Sequence, residues 1–186
     1  MTDSEVEELG RCISNERYFI ESYFKAENPF NGLSTLTLER QQLTTLDRIR
    51  GKRCVIERNE ERQIGTTTVL VAHALYMAIF NSNQRIILMA KNDKHAEAMR
   101  VIFKTAYNNL PDFLRYKPNT DNKYSFELPW TRSWVHFINS DPIHLRGFCT
   151  TLLVMDDFET YTPDRQRELR HHSEIFCSST ADLLHS

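Results

Sequence analysis

The sequence predicts an α/β protein, with a mainly parallel sheet that carries helices on both of its faces. Three short apolar runs, at residues 54–57, 85–90 and 151–155, have the continuous hydrophobic character of strands that are buried on both faces. Longer segments with helical patterns separate these runs along the chain. Strands that alternate with helices are typical of parallel sheets, so the order of elements predicts the fold class.

The composition excludes several classes of protein. Of the 186 residues, 40% are hydrophobic and 26% are charged, which excludes a disordered chain and a disulfide miniprotein. The formal net charge of -2 excludes a polycation that coats nucleic acid. No apolar stretch approaches the ~18 residues of a membrane span, and we expect no secretory signal in the acidic start. We also expect reduced cytosolic thiols, because no C-x-x-C spacing relates the cysteines at 12, 54, 149 and 177.

The first 50 residues predict a small helical lead-in. Residues 15–25 place four aromatic side chains near one helical face, and residues 37–50 predict a second helix that ends before Gly51. Further along, residues 67–81 are too apolar for a surface helix, and residues 93–109 predict a helix with Asp93 as its N-cap. The remaining expected elements are strands at 54–57, 85–90, 124–128, 133–139, 151–155 and 174–177, and a short helix at 165–171.

Charge is distributed unevenly along the chain. Residues 85–118 hold seven bases against three acids, whereas residues 1–32 and 156–186 are acidic. The basic stretch is therefore the region of the sequence that favours a polyanion, although such a run is also typical of a solvated face. We expect weak, salt-sensitive DNA binding through Arg85, Lys91, Lys94, Arg100 and Lys104.

A candidate phosphate-binding loop follows the strand at 54–57. The P-loop pattern is G-x-x-x-x-G-K-[ST], and its backbone N–H groups hold phosphate at the start of a helix. Here Glu60 takes the first glycine position, Gly65 the second, Thr66 the lysine position and Thr67 the position of the hydroxyl that binds Mg²⁺. A glycine and a threonine at this junction also suit an ordinary helix cap, so the loop alone leaves both interpretations open.

Two further segments fall at the same edge of the predicted sheet. The run at 152–155 leads into Asp156 and Asp157, the arrangement of a Walker B strand, in which the first acid supports Mg²⁺ and the second polarises the attacking water. A strand that runs into an acidic turn gives the same pattern. After the last expected strand come three hydroxyl side chains, Ser178, Ser179 and Thr180.

Taken together, these segments resemble the N-terminal ATPase domain of the large terminase subunit of tailed bacteriophages. The resemblance covers roughly residues 12–180. Besides the strand into the two aspartates, its motifs are Tyr18-Phe19-Ile20, the helix that contains Gln42, Arg62-Gln63-Ile64-Gly65, residues 109–114, Ser140-Asp141-Pro142 and Leu145-Arg146-Gly147.

The resemblance implies a role for each matching position. Gln42 would contact adenine, and Arg62 would reach the γ-phosphate. Arg146 would act on the nucleotide of a neighbouring subunit, and Asp157 would act on the attacking water. The remaining nucleotide-binding positions would be Gln63, Gly65, Thr66, Thr67 and Thr68. The metal would be held by Thr67 and Asp156. Hydrolysis would be coupled to motion by Ser178, Ser179 and Thr180.

Two positions depart from the family pattern, and both are catalytic. Thr66 stands where the family usually has the lysine that clamps the phosphates, which forfeits a charge-assisted contact worth roughly 1.5–3 kcal/mol. Asp157 stands where the family has a glutamate that is one methylene longer. Glu159 would replace that glutamate only if the strand continued through it. The sequence therefore supports an ATPase fold better than it supports fast hydrolysis.

The resemblance implies a RecA-like P-loop fold, with a lead-in over residues 1–50 and an ATPase core over residues 51–186, without the family's nuclease domain. It further implies ATP and Mg²⁺ as cofactors. The implied partners are double-stranded DNA, the portal protein and the small terminase subunit, with no membrane. Such a motor would form a homo-oligomeric ring in the host cytoplasm, at the procapsid portal.

Other functions remain as alternatives to this motor. The leading alternative is a hydrolysis-poor, terminase-like domain that acts as a nucleotide-binding or regulatory module. A helicase-like ATPase is a weaker hypothesis, because the motifs around Arg62 and Arg146 favour the terminase pattern. A zinc site lacks ligand spacing, and a serine hydrolase lacks its G-x-S-x-G motif.

Overall fold

A six-stranded sheet forms the centre of the protein. The computed structural model describes residues 1–28, 32–57, 65–145 and 149–177. Its strands are β3 (Cys54–Ile56), β4 (Arg85–Ala90), β5 (Thr120–Asp121), β6 (Ser125–Leu128), β7 (Ser133–Asn139) and β8 (Leu152–Met155). They lie in the order β3-β8-β4-β7-β6-β5; the first four strands are parallel to one another, and β6 pairs antiparallel with both β7 and β5. The predicted α/β class is thus confirmed.

Helices cover both faces of this sheet, as predicted. α4 (Thr66–Phe80) and α5 (Asp93–Asn108) pack on one face, where they meet alternate residues of β4 such as Ile86 and Leu88. The other residues of β4, Ile87 and Met89, belong to a second apolar cluster with Leu169 of α6 (Pro163–Cys177). This alternation explains why the sequence of β4 is continuously apolar, since each of its faces lies under a different helix layer.

The N-terminal segment packs against α4 and extends the same apolar core. It contains α1 (Asp3–Ser14), α2 (Glu16–Tyr23) and α3 (Arg40–Ile49), together with a two-stranded hairpin of β1 (Lys25–Asn28) and β2 (Gly32–Thr35). The helical character of the lead-in was predicted, but α1 and the hairpin were not. The apolar residues that join this segment to the core are Cys12, Phe19, Ile20, Phe24, Leu46 and Ile49.

Two predicted boundaries and one predicted element are wrong. α3 begins at Arg40 rather than at residue 37, because Glu39 is its N-cap and forms a capping box with Gln42. α5 is capped by Asn92, whose side chain accepts a hydrogen bond from the backbone of His95, and not by Asp93. The strand expected at 174–177 is the last turn of α6. A run of three apolar residues is too short to distinguish a strand from a buried helix by its pattern.

A buried ion pair ties the N-terminal segment to the core. Glu16 is 6% exposed; one of its carboxylate oxygens lies 2.6 Å from Nδ1 of His73 in α4, and the other accepts a hydrogen bond of 2.9 Å from Nε of Arg50. A buried carboxylate must keep such partners, because removing one side of a buried pair leaves the other uncompensated.

We therefore expect Glu16→Ala to lower the free energy of unfolding by about 1–3 kcal/mol, because Glu16 and His73 are buried whereas Arg50 is partly exposed. Asp164→Ala is the matched control, because Asp164 pairs with Arg167 at a fully solvated surface, where such pairs contribute about 0–1 kcal/mol. Urea denaturation of both variants measures the difference. Equal losses in the two variants would contradict a stabilising role for the buried pair.

Candidate functional site at the carboxyl edge of the sheet

The two strands that lead into the candidate loops lie side by side. β3 and β8 pair in parallel, with Ile56 opposite Met155, and the backbone N–H of Glu57 continues the pairing to the carbonyl of Met155 at 2.9 Å. The parallel pairing places the two candidate loops at the same edge of the sheet, as predicted. Ligands of open α/β sheets bind beyond the carboxyl ends of the strands, so this edge is where a site is expected.

The N-terminus of α4 opens onto this edge. Its N-cap is Gly65, at φ 73° and ψ 21°, a left-handed conformation that glycine adopts without steric cost. A Cβ atom at this position would lie 2.5 Å from Nε2 of Gln42, so the amide of Gln42, predicted on the adenine side, lies beside the N-cap of α4. The exposed N–H groups of a helix N-terminus favour an anion.

A hydrogen bond joins the start of α4 to the end of β8. Oγ1 of Thr67 donates to Oδ2 of Asp156 at 2.7 Å, across 89 positions of sequence. Asp156 is 5% exposed, and its other oxygen, Oδ1, is buried without a hydrogen-bond partner among the described residues. Burial raises the pKa of Asp156 to about 6, and the negative charges of Asp157 and Glu57 add to that effect. The unpaired oxygen and the surrounding acids fit a bound cation.

Thr66 occupies the position of the missing lysine at the first residue of α4. It is 4% exposed, and its hydroxyl oxygen is buried with no hydrogen-bond partner in the part of the chain that the structure describes. Thr68, the third residue of α4, is half-buried. Among the described residues no side chain caps this helix N-terminus, so the buried hydroxyl of Thr66 is a ready donor to an anionic ligand.

Asp157 lies in a tight turn directly after β8. Its backbone is left-handed, at φ 51° and ψ 41°, and the turn is fixed by a hydrogen bond from the N–H of Phe158 to the carbonyl of Glu57 at 3.0 Å. Aspartate tolerates this conformation better than longer side chains do, which gives a physical reason for aspartate rather than glutamate here. Glu159 is exposed in the short 3-10 turn that follows, so the strand does not continue to it.

The sequence did not reveal the ion pair beneath the site. Arg48 of α3 donates from Nη2 to both carboxylate oxygens of Glu57 at 2.5 Å, and Glu57 is 5% exposed. The charge of Glu57 also contributes to the raised pKa of Asp156. An acid directly after a buried strand is the only sequence signal for this pair, since Arg48 comes from a separate helix.

Several predicted site residues lie outside the described part of the chain. The residues without a described position are Glu60, Arg62, Gln63, Arg146, Ser178, Ser179 and Thr180. Their assigned roles stay predictions.

The basic stretch of the sequence does not form one surface. Arg85 is the first residue of β4, and Lys91 follows its last residue, so the two lie roughly 20 Å apart at opposite edges of the sheet. Arg100 pairs with Glu97, and Lys104 pairs with Asp121 at 2.7 Å. Arg85 thus lies apart from the other four predicted residues, which belong to α5 or directly precede it, and DNA binding through the basic stretch stays a prediction.

No model of a known protein family matches this chain. Among the described residues there is no group of three or more His, Cys, Asp or Glu side chains placed to hold a metal ion. A Mg²⁺ site needs fewer protein ligands than that, because Mg²⁺ binds through one or two carboxylates together with phosphates and water. None of the described helices is long and apolar enough to cross a membrane.

The raised pKa of Asp156 predicts an unusual effect of removing its charge. The folded pKa of about 6 exceeds the ordinary value of 3.8, so ionisation of Asp156 opposes folding above pH 6, and this penalty disappears as the pH falls below 4. Asp156→Asn should therefore stabilise the protein at pH 7.5 by on the order of 3 kcal/mol, which raises the melting temperature by roughly 5–10 °C.

Thermal unfolding of both proteins at pH 7.5 and pH 4.5 measures this effect. The difference between wild type and Asp156→Asn should shrink at the lower pH. If Asp156→Asn instead destabilises the protein equally at both pH values, Asp156 is a structural residue and the cation site loses its basis.

Proposed function

We propose that this chain binds a nucleoside triphosphate together with Mg²⁺ at the N-terminus of α4 and hydrolyses it. The hydrogen bond between Thr67 and Asp156 is the observation that carries this proposal. P-loop NTPases hold Mg²⁺ with a P-loop Ser or Thr and a Walker B Asp, and this chain brings a Thr of the helix after β3 together with an Asp at the end of β8. The parallel sheet is also compatible with a RecA-like P-loop fold, which we include in the proposal.

The described residues supply most of the parts of such a site. The N–H groups of α4 and the buried hydroxyl of Thr66 would contact phosphate oxygens. Asp156 and Thr67 would hold Mg²⁺, which neutralises the charge on the phosphates when bound. Gln42, held against Gly65 by the capping box of α3, would lie beside the nucleotide.

Asp157 is the residue that we propose to orient the attacking water and accept its proton. The left-handed turn fixes the backbone of Asp157 at the carboxyl end of β8, one residue beyond the metal-binding Asp156. A rigid position matters here, because a misplacement of about 1 Å can cost on the order of a hundredfold in rate.

At the level of the whole protein, we propose the ATPase motor domain of a viral DNA-packaging terminase. This part of the proposal rests on the resemblance of the sequence motifs, with double-stranded DNA as the translocated substrate. The portal protein and the small terminase subunit would be partners, and Arg146 would serve a neighbouring subunit of a ring. The setting would be the host cytoplasm.

A nucleotide-binding module without turnover is the second candidate. Thr66 favours it, because the threonine hydroxyl lacks the charge and the reach of the usual lysine. The two functions separate in one experiment. Titration with a fluorescent ATP analogue and Mg²⁺ measures binding, and phosphate release measures turnover. Binding with no release identifies the module, and no binding at all contradicts both candidates.

Thr67→Val tests the metal-binding pair. Loss of the hydroxyl should weaken binding of the Mg²⁺–ATP complex about tenfold or more, because it removes a contact to the cation and the partner of a buried carboxylate. Thr105→Val, at a half-buried position of α5 with no assigned role, is the matched control and should bind within about twofold of wild type. Equal weakening in both variants would indicate a general effect of replacing threonine by valine instead of a metal site.

Asp157→Asn tests the proposed base. Asparagine tolerates the left-handed backbone as well as aspartate does, so the turn and the melting temperature should be preserved. Phosphate release should fall about a hundredfold or more, because general-base catalysis contributes factors of this size, while binding of the ATP analogue stays unchanged. Unchanged turnover in this variant would remove Asp157 from the catalytic site.

A further inference from the structure

A second pocket lies far from the triphosphate site, towards the amino edge of the sheet. It has a volume of about 560 Å³, within the range of small-molecule sites, and is lined by residues of β4, β6, β7 and the β6–β7 turn. Arg85 and Trp134 lie near the amino ends of β4 and β7, whereas the triphosphate site is at the carboxyl ends.

The register of the strands explains how the pocket forms. Arg85, Trp134 and Glu127 are directly opposite one another on three neighbouring strands, so their side chains share one face of the sheet. His136 lies on the same face, two residues from Trp134. The alternate residues of β7, such as Val135, point to the opposite face and join the core under α4 and α5. Polar and aromatic side chains therefore line the wall of the pocket.

Two guanidinium groups supply positive charge to this pocket. Arg85 lies over the ring of Trp134, at 5.4 Å from the ring centroid, which holds its side chain in place. Within the described residues, neither Arg85 nor Arg132 makes an ion pair or a side-chain hydrogen bond, although many other arginines do. Two arginines that line one cavity without anionic partners favour an anionic ligand, because a guanidinium matches phosphate geometry.

The backbone of Arg132 is strained. It has φ 54° in the turn between β6 and β7, a conformation that favours glycine or asparagine over arginine. Glycine would occupy this position without strain, whereas arginine adopts it at a cost in conformational energy. A cost of this kind is typical of residues retained for binding.

The remaining side chains of the pocket suit the base of a nucleotide. Trp134 and His136 meet edge to face, with ring centroids 4.2 Å apart, and burial lowers the pKa of His136, so this aromatic wall is uncharged at neutral pH. The carboxylate of Glu127 accepts a hydrogen bond from Thr120 at 3.1 Å and adds an acceptor to the pocket. Carboxylates recognise exocyclic amino groups of bases in this way.

We propose that this pocket binds one nucleotide unit, a base joined to phosphate, with Arg85 and Arg132 on the phosphate and Trp134 beside the base. The proposal goes beyond the triphosphate site and does not depend on it. Aromatic side chains combined with arginines are how proteins hold successive nucleotides of a single strand. A free nucleotide presents the same chemistry, so the experiment distinguishes the two sources.

Fluorescence anisotropy with a labelled single-stranded oligonucleotide of mixed sequence tests the pocket, without ATP. Arg85→Ala and Arg132→Gly should each weaken binding about tenfold or more. Arg132→Gly also relieves the strained backbone, so its melting temperature should equal or exceed that of wild type, and weaker binding is then not a folding defect. Arg11→Ala removes an exposed cation of α1, outside the pocket, and serves as the charge-matched control, with unchanged affinity.

Trp134 provides a direct signal from the pocket. In a Trp130→Phe background Trp134 is the one remaining tryptophan, and its emission should change on binding. Competition by a mononucleotide would identify a free nucleotide as the ligand, and competition by unlabelled oligonucleotide alone would identify a nucleic-acid strand. Thr67→Val should bind the oligonucleotide like wild type, which separates this pocket from the triphosphate site.

Three outcomes would overturn the proposal. The first is wild-type affinity in both arginine variants, and the second is a Trp134 signal that does not change on binding. The third is a loss of affinity in Arg11→Ala equal to that in Arg132→Gly, because binding would then follow the general charge of the surface and not this pocket.

Discussion

The hydrogen bond from Thr67 to Asp156 depends on how the strands are ordered in the sheet. Thr67 belongs to the helix that follows β3, and Asp156 follows β8, so the two side chains meet only because β3 and β8 are neighbours and run in the same direction. The left-handed backbone at Gly65 then directs the start of α4 towards the end of β8. Each further part of the candidate site, including the contact of Gln42 with Gly65, builds on this arrangement.

The same arrangement concentrates negative charge at one place. Glu57, Asp156 and Asp157 all follow the carboxyl ends of β3 and β8, and the first two are almost fully buried. Arg48 compensates Glu57, but Asp156 keeps an unpaired buried oxygen and a raised pKa. Burying a carboxylate without a partner costs free energy, and a bound cation or a helix N-terminus can offset that cost. Strongly shifted pKa values are enriched at functional sites for that reason.

The two edges of the sheet carry different chemistry. At the carboxyl edge, a helix N-terminus and several acids suit phosphate together with a cation. Towards the amino edge, β6 and β7 present Glu127 and Trp134 on the face opposite to α4 and α5, and Arg85 of β4 joins them in register. Because the strands separate these two surfaces, a ligand at one site does not occupy the other. This arrangement would allow the two proposed sites to be occupied at the same time.

The sequence by itself determined the elements whose burial leaves a clear pattern. Its prediction for β4 matches Arg85–Ala90, because a strand covered on both faces must be apolar throughout. It also placed Thr67 and Asp156 after the two strands that turn out to be neighbours. It missed the β1–β2 hairpin, whose short strands lack an alternating apolar pattern, and it ended α6 too early, because a short apolar run suits a strand and a helix equally.

Only the tertiary structure decided the order of the strands and the pairs that follow from it. Nothing in the local sequence around Arg48 or Glu57 indicates that the two side chains form an ion pair. Arg85 does not lie with the other predicted basic residues, because the length of β4 separates it from Lys91. The left-handed turn at Asp157 likewise depends on a hydrogen bond to Glu57, about a hundred residues earlier in the chain. Periodicity specifies which face of an element is apolar, whereas the packing of the whole chain specifies which elements those faces meet.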